Sequence, residues 1–181
     1  MKESNRFWLA FALVAVGVIC RVAPHPWNFA PIGAIALFSG ASFDRRRSAL
    51  IVPLVSMLVG DAALQLFTGH GFHVLMPVIY ATYALIACLG LALRERRANP
   101  LWVGGGSIAG SILFFLISNF GMWAAGGTYP QTMSGLAACF VAAIPFFGNT
   151  VTSDLLFNAI FFGIFVFAER RSPAFAVGQR A

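Results

Sequence analysis

Eleven of the twelve basic residues stand in four clusters at the ends of long apolar stretches, and Arg21 is the exception. The clusters are Lys2/Arg6, Arg45-Arg46-Arg47, Arg94/Arg96/Arg97 and Arg170/Arg171 with Arg180. A membrane-crossing helix needs about 20 apolar residues, with a working range of about 17–25. Four stretches meet that length, Ser48–Phe67, Val74–Leu93, Leu101–Met122 and Asn149–Ala168, and Phe7–Val22 is adequate. Basic residues beside spans stay on the cytoplasmic side, so the clusters set an orientation as well as a class.

Two further apolar stretches, Ala30–Phe43 and Gly135–Gly148, are short, and charge parity separates them. Without a crossing by Ala30–Phe43, Arg45–Arg47 falls on the side opposite the N-terminus. With a crossing by Gly135–Gly148, Arg170 and Arg171 fall outside. The most economical arrangement is an all-α protein with six transmembrane helices and both termini cytoplasmic. In it 30–43 crosses as a short helix, and 135–148 is re-entrant or interfacial before the last helix. Pro31 suits the first turn of the short helix, where a missing N–H costs nothing. Pro145 is expected to break the re-entrant segment. Trp8, Trp27, Trp102 and Trp123 fall at span ends, where an amphipathic ring prefers the headgroup region.

Composition agrees with this class. Hydrophobic residues make up 59% of the 181 and charged residues only 10%, against about 25% charge in an ordinary soluble domain. The chain forms one integral membrane domain over 1–181. Its net charge of +6 comes from positive-inside arginine, and the short basic runs lack the interleaved aromatics of a nucleic-acid groove. Cys20, Cys88 and Cys139 have no CxxC spacing, which leaves buried inert thiols rather than zinc or thioredoxin-type chemistry. The N-terminal apolar run has no small-x-small cleavage site and is expected to stay as the first helix. P-loops are absent, no serine sits in a nucleophile elbow, and neither an enzyme nor a cofactor is implied.

The basic clusters leave two acids inside apolar segments, Asp61 and Asp154. Intramembrane ionisable groups are costly, and a functional site is their default explanation. Asp61 and Gln65 share one face of the third span. Thr150, Asp154 and Asn158 form a second stripe at four-residue spacing. Asp154 also lies about a turn from the expected start of its helix, where the dipole favours a carboxylate. Asn119 stands at the outer end of the fifth span, where it is equally suited to interhelical bonding. Asn28 opens the second span or caps its helix. All these residues, with His25, His70 and His73, fall toward the outer leaflet, which points to a pocket open to the outside. The histidines with Asp61 and Asp154 are an alternative, transition-metal set, although no fixed spacing supports it. Gly106 and Gly110 form a GxxxG pair, with Ser107 and Ser111 on the adjacent row, marking a close helix contact within this chain or with a partner.

The string Arg21-x-x-Pro24-His25-Pro26-x-Asn28-Phe29-x-Pro31-Ile32-x-Ala34-x-Ala36-Leu37-Phe38-x-Gly40 resembles a family of uncharacterised bacterial membrane proteins. So do Pro53 with Asp61, Ser118-Asn119-Phe120-Gly121 with Trp123, Tyr129-Pro130, and Ala143-x-Pro145-Phe146 with Asn149-Thr150 and Asp154. In size and layout the chain is similar to the S components of energy-coupling-factor transporters. That resemblance implies a six-helix protein of the bacterial cytoplasmic membrane. It would bind a small metabolite, such as a vitamin or precursor, and dock on a transmembrane coupling subunit driven by ATPases. The binding residues it implies here are Asn28, Asp61, Asn119, Asp154 and Asn158, with Trp27, Trp123 and Tyr129 as aromatic walls and His25 and Trp27 as a gate. The first span has no clean alanine pair for docking, and the nearest small pair is Ala36 and Gly40. Corrinoid or metal-ion uptake is a substrate variant, and a structural or assembly subunit of a larger membrane complex is the rival role.

Cysteine-accessibility labelling of intact cells checks the orientation. The 45–47 and 94–97 loops should be shielded from an impermeant reagent, and labelling of either from outside overturns the six-span arrangement.

Overall fold

The computed structural model describes residues 3–171, so Lys2, Arg180 and the polar tail after Arg171 lie outside the described residues. Six α-helices account for most of the chain: α1 Glu3–Val22, α2 Ile32–Ser42, α3 Arg46–Thr68, α4 Met76–Ala92, α5 Pro100–Ala125 and α6 Met133–Arg171. A 3-10 turn, Arg94–Arg96, joins α4 to α5, and the described residues contain no strand. Four helices, α1, α3, α5 and α6, are long and apolar enough to cross a membrane. The helices alternate in direction, and polar contacts gather the basic loops at one end. Arg6 pairs with Asp44 at 3.8 Å, Arg94 donates to the Phe43 and Asp44 carbonyls, and Arg97 pairs with Glu169 at 2.8 Å, joining the start of α1, the α2–α3 loop, the α4–α5 loop and the end of α6.

The organising element is α2. Every one of its 11 residues is buried, and α3, α4, α5 and α6 surround it. Its apolar residues Ile32, Ile35, Leu37 and Phe38 form the centre of the core. Phe38 is held edge-on by Phe162 and Phe165 of α6, with ring centroids 5.1 and 5.4 Å away. Backbones approach most closely where α2 crosses α4. A Cβ on Gly40 would stand 2.8 Å from the Gly90 Cα, and a Cβ on Gly90 would stand 3.0 Å from the Gly40 Cα. Ala36 and Gly40 are therefore internal and cannot serve as the small docking pair for a partner helix. The GxxxG pair is likewise used within the chain. Gly106 receives the Leu93 side chain, and Gly110 lies 3.3 Å from Ile86 measured from where its Cβ would be.

Segment 135–148 departs from expectation. It is not broken off from the last helix at Pro145, but forms the first part of the continuous 39-residue α6, with Pro145 inside it. Proline deletes one backbone hydrogen bond, and apolar helices packed on neighbours tolerate that loss. At 1.5 Å per residue α6 is about 58 Å long, almost twice the bilayer's hydrocarbon thickness. Asp154 consequently lies in the middle of its helix, so the dipole of its own helix N-terminus does not stabilise it. Pro31 stands at the N-cap of α2, immediately before its first turn.

The glycine crossing gives a sharp contrast. Gly40→Ala should lower stability in detergent by about 1–3 kcal/mol through overpacking. Gly104→Ala, where a Cβ meets nothing within 4 Å, should leave the thermal midpoint unchanged or slightly raised.

Candidate functional site

A cavity of about 530 Å³ opens at the end of the bundle opposite the arginine clusters. Its walls come from the end of α1, the α1–α2 loop, the first turn of α2, the α3–α4 loop and facing turns of α3, α4, α5 and α6. The groups that matter chemically are Arg21, His25, Trp27, His70, His73 and Asp154, with Tyr83 and Phe114 as an aromatic wall. Those two rings stack with centroids 5.3 Å apart and planes 24° from parallel.

Asp154 sits where the cavity meets the N-terminus of α2. Its Oδ2 accepts the Ser111 hydroxyl at 2.7 Å, and the carboxylate lies within reach of the Ala34 amide. Gly33 makes this approach possible, because a Cβ there would stand 2.9 Å from Oδ2 and closer still to Oδ1. A carboxylate at a helix N-terminus complements the macrodipole, so Asp154 stabilises α2 rather than α6. One turn further along, Asn158 Nδ2 donates to Ser107 Oγ at 2.8 Å. Ser107 and Ser111 of α5 thus clasp Asn158 and Asp154 of α6. Asn158 is buried in that clasp and does not line the cavity.

Asp61 is fully buried and also stands behind the cavity wall. Its Oδ1 accepts from Arg21, through Nε at 2.9 Å and through a second guanidinium nitrogen. Its Oδ2 accepts the Tyr80 hydroxyl at 2.8 Å. The bare Gly60 lets the Arg21 stem pass, since a Cβ there would meet Arg21 Cδ at 2.6 Å. The isolated basic residue and the isolated acid of the sequence are therefore partners, and Arg21 is the member that faces the cavity. Gln65 has a separate task. Its Oε1 accepts from the Gly71 and Phe72 amides at 3.0 and 3.3 Å, folding the histidine loop back over α3.

The other expected residues divide. Trp27 is 79% exposed at the cavity mouth beside His25, and its carbonyl accepts from Asn149 Nδ2 at 2.9 Å. Asn28 lines the mouth in a left-handed conformation, φ 61°. It neither opens nor caps α2, which begins at Ile32. Asn119 lines a smaller neighbouring cavity of about 200 Å³, which shares Asn28, Ile79, Phe114 and Thr150 with the larger one. Its amide donates to the Phe115 carbonyl at 2.7 Å. Trp123 and Tyr129 line neither cavity. Trp123 instead donates to the Pro130 carbonyl at 3.0 Å and fastens the α5–α6 turn.

The histidines carry a readable hydrogen-bond polarity. His25 Nδ1 lies 2.8 Å from the Pro26 carbonyl and His70 Nδ1 2.6 Å from the Thr68 carbonyl. A carbonyl only accepts, so in each of these contacts the ring nitrogen is the donor. Among the described residues no three His, Cys, Asp or Glu side chains gather to hold a metal ion.

A family of unknown function, DUF6580, matches residues 1–175. The chain belongs to that family. Comparison with curated proteins and with solved structures finds no match.

Breaking a buried ion pair on one side leaves an uncompensated charge. Asp61→Asn should cost about 3–5 kcal/mol of stability in detergent. Adding Arg21→Met should recover most of that loss, as a double-mutant cycle of unfolding would show.

Proposed function

We propose that this chain is a substrate-binding subunit of the bacterial cytoplasmic membrane. It would resemble energy-coupling-factor S components in layout and capture a small metabolite from the outer side for uptake. In this reading the six helices cross with both termini cytoplasmic, since the basic loops share one end of the bundle and the cavity opens at the other. The observation that carries the reading is the cavity itself. Its volume of about 530 Å³ lies in the range of small-molecule sites, and a few convergent polar groups stand against aromatic walls, as such sites require.

The chemistry narrows the ligand class. Asp61 compensates the charge of Arg21, and Asp154 brings a carboxylate to the wall. His25 and His70 add imidazole rings at the cavity lining. The site therefore favours a donor-rich, nitrogenous compound with a flat body able to lie against Tyr83 and Phe114. Closure would come from the loops bearing His25 and Trp27 on one side and His70 and His73 on the other. Docking to a coupling subunit would use an outward face such as that of α1, where Phe7, Trp8, Phe11 and Ile19 are exposed, because Ala36 and Gly40 are internal.

A structural or assembly subunit should bury its polar groups against partners and leave no void. Asp61 and Asp154 do have internal partners, but a void remains beside them, and that favours binding.

Mass spectrometry of small molecules released from gently purified protein tests this. The expected result is a stoichiometric compound in the wild type, retained about tenfold less by Trp27→Ala, in line with the loss of an aromatic binding anchor. Membrane proteins co-purifying with an empty wild type would contradict the binding reading and favour the assembly role.

A further inference from the structure

A second cavity, of about 460 Å³, lies between the first half of α5 and the last part of α6, at the basic end of the bundle. It shares no residue with the outer cavity. Its walls are apolar, built from Val103, Leu155, Phe162, Val166 and Phe167. Two glycines widen it, Gly104 and Gly163, and a Cβ at either would meet nothing within 4 Å. Two arginines line its mouth, Arg97 and Arg170.

The two arginines are not equivalent. Arg97 donates to Glu169 at 2.8 Å and reaches the Ala41 carbonyl of α2 at 3.5 Å, so its charge is balanced and its place is structural. Arg170 is exposed, and no acidic side chain among the described residues pairs with it. The mouth also includes Ala98 and Pro100 at the N-terminus of α5, whose dipole adds partial positive charge there. The result is an apolar groove with uncompensated positive charge at one end, placed at the end of the bundle where the basic loops gather; in the proposed orientation that end meets the cytoplasmic headgroups.

We propose that this groove seats one acyl chain of an anionic glycerophospholipid, with the lipid phosphate against Arg170. An acyl chain fits apolar walls that run from the basic end along α5 and α6. Basic pockets between helices on the cytoplasmic side recognise anionic headgroups through the same combination. The complementarity is one of both charge and polarity, since the groove offers a cation only at its mouth and a lining that is apolar apart from Ser107 along its length.

Native mass spectrometry of the full chain in neutral detergent, titrated with phosphatidylglycerol or phosphatidylcholine, tests the assignment. The wild type should retain phosphatidylglycerol in preference to phosphatidylcholine. Arg170→Ser should weaken phosphatidylglycerol about fivefold, toward the zwitterionic lipid, the scale expected for one basic residue at an anionic surface. Gly163→Leu, which projects into open space, should remove the preferred adduct while leaving the thermal midpoint near wild type. Arg47→Ser, which removes the same charge from an exposed position elsewhere at that end, should change nothing. Equal retention of the two lipids by wild type overturns the proposal. So does a phosphatidylglycerol titration unchanged in both Arg170→Ser and Gly163→Leu. A co-purifying protein released by Gly163→Leu without any change in lipid would assign the groove to a partner helix instead.

Discussion

Everything in this bundle depends on a short helix that is buried from end to end. At 11 residues, α2 is about 16 Å long, roughly half the hydrocarbon thickness of a bilayer. Its terminal residues Ile32 and Ser42 are buried, and a buried backbone N–H or C=O left without a partner costs about as much as a lost hydrogen bond. Its neighbours provide the partners. Asp154 brings a carboxylate to the first turn, in a notch left by Gly33. Arg94 and Arg97 bring guanidinium groups to the last carbonyls, Arg94 to those of Gly40 and Phe43 and Arg97 to that of Ala41. A carboxyl oxygen accepting at the N-terminus and guanidinium groups donating at the C-terminus both suit the dipole of the helix.

This constraint places the candidate site. Lipid tails are as apolar as leucine, so helix association in a membrane rests on close packing and polar contacts rather than on a hydrophobic drive. Gly40 against Gly90 gives the packing, and the Ser107–Asn158 and Ser111–Asp154 contacts give the polar clasp. Because α2 stops short at Ile32, the space above it is open to the α1–α2 loop and becomes the cavity. Asp154 holds α2 in place and forms part of the cavity wall. Asp61 acts at one remove, fixing the Arg21 guanidinium that faces the same space. The rigid elements of the site are thus the ones that hold the fold together, while His25, Trp27, His70 and His73 stand on loops.

The helical class and the grouping of basic loops at one end were legible in the sequence because apolar length and arginine placement are local signals. The importance of Asp61 and Asp154 was legible too, since an acid in an apolar helix needs a reason. Their partners were not. Arg21 is 40 residues from Asp61, and no periodicity links a residue at the end of α1 to one in α3. Its isolation from the four basic clusters was the available signal. Tyr83 and Phe114 looked like ordinary apolar-span residues, and only packing turns them toward a cavity. Trp123 at a span end and Tyr129 in the last outer loop were expected as aromatic walls, but the α5–α6 turn engages Trp123 instead. Pro145 misled because proline usually ends a helix, whereas α6 continues through it.

The most direct test of this account is hydrogen–deuterium exchange of α2 in the wild type and in Asp154→Ala. If the two ends are held separately by side-chain charge, exchange should rise over 32–36 in the variant while 40–43, under Arg94 and Arg97, stays protected. Unchanged protection at both ends would contradict the claim that Asp154 satisfies the first turn. A uniform rise along the whole helix would contradict the claim that its ends are secured independently.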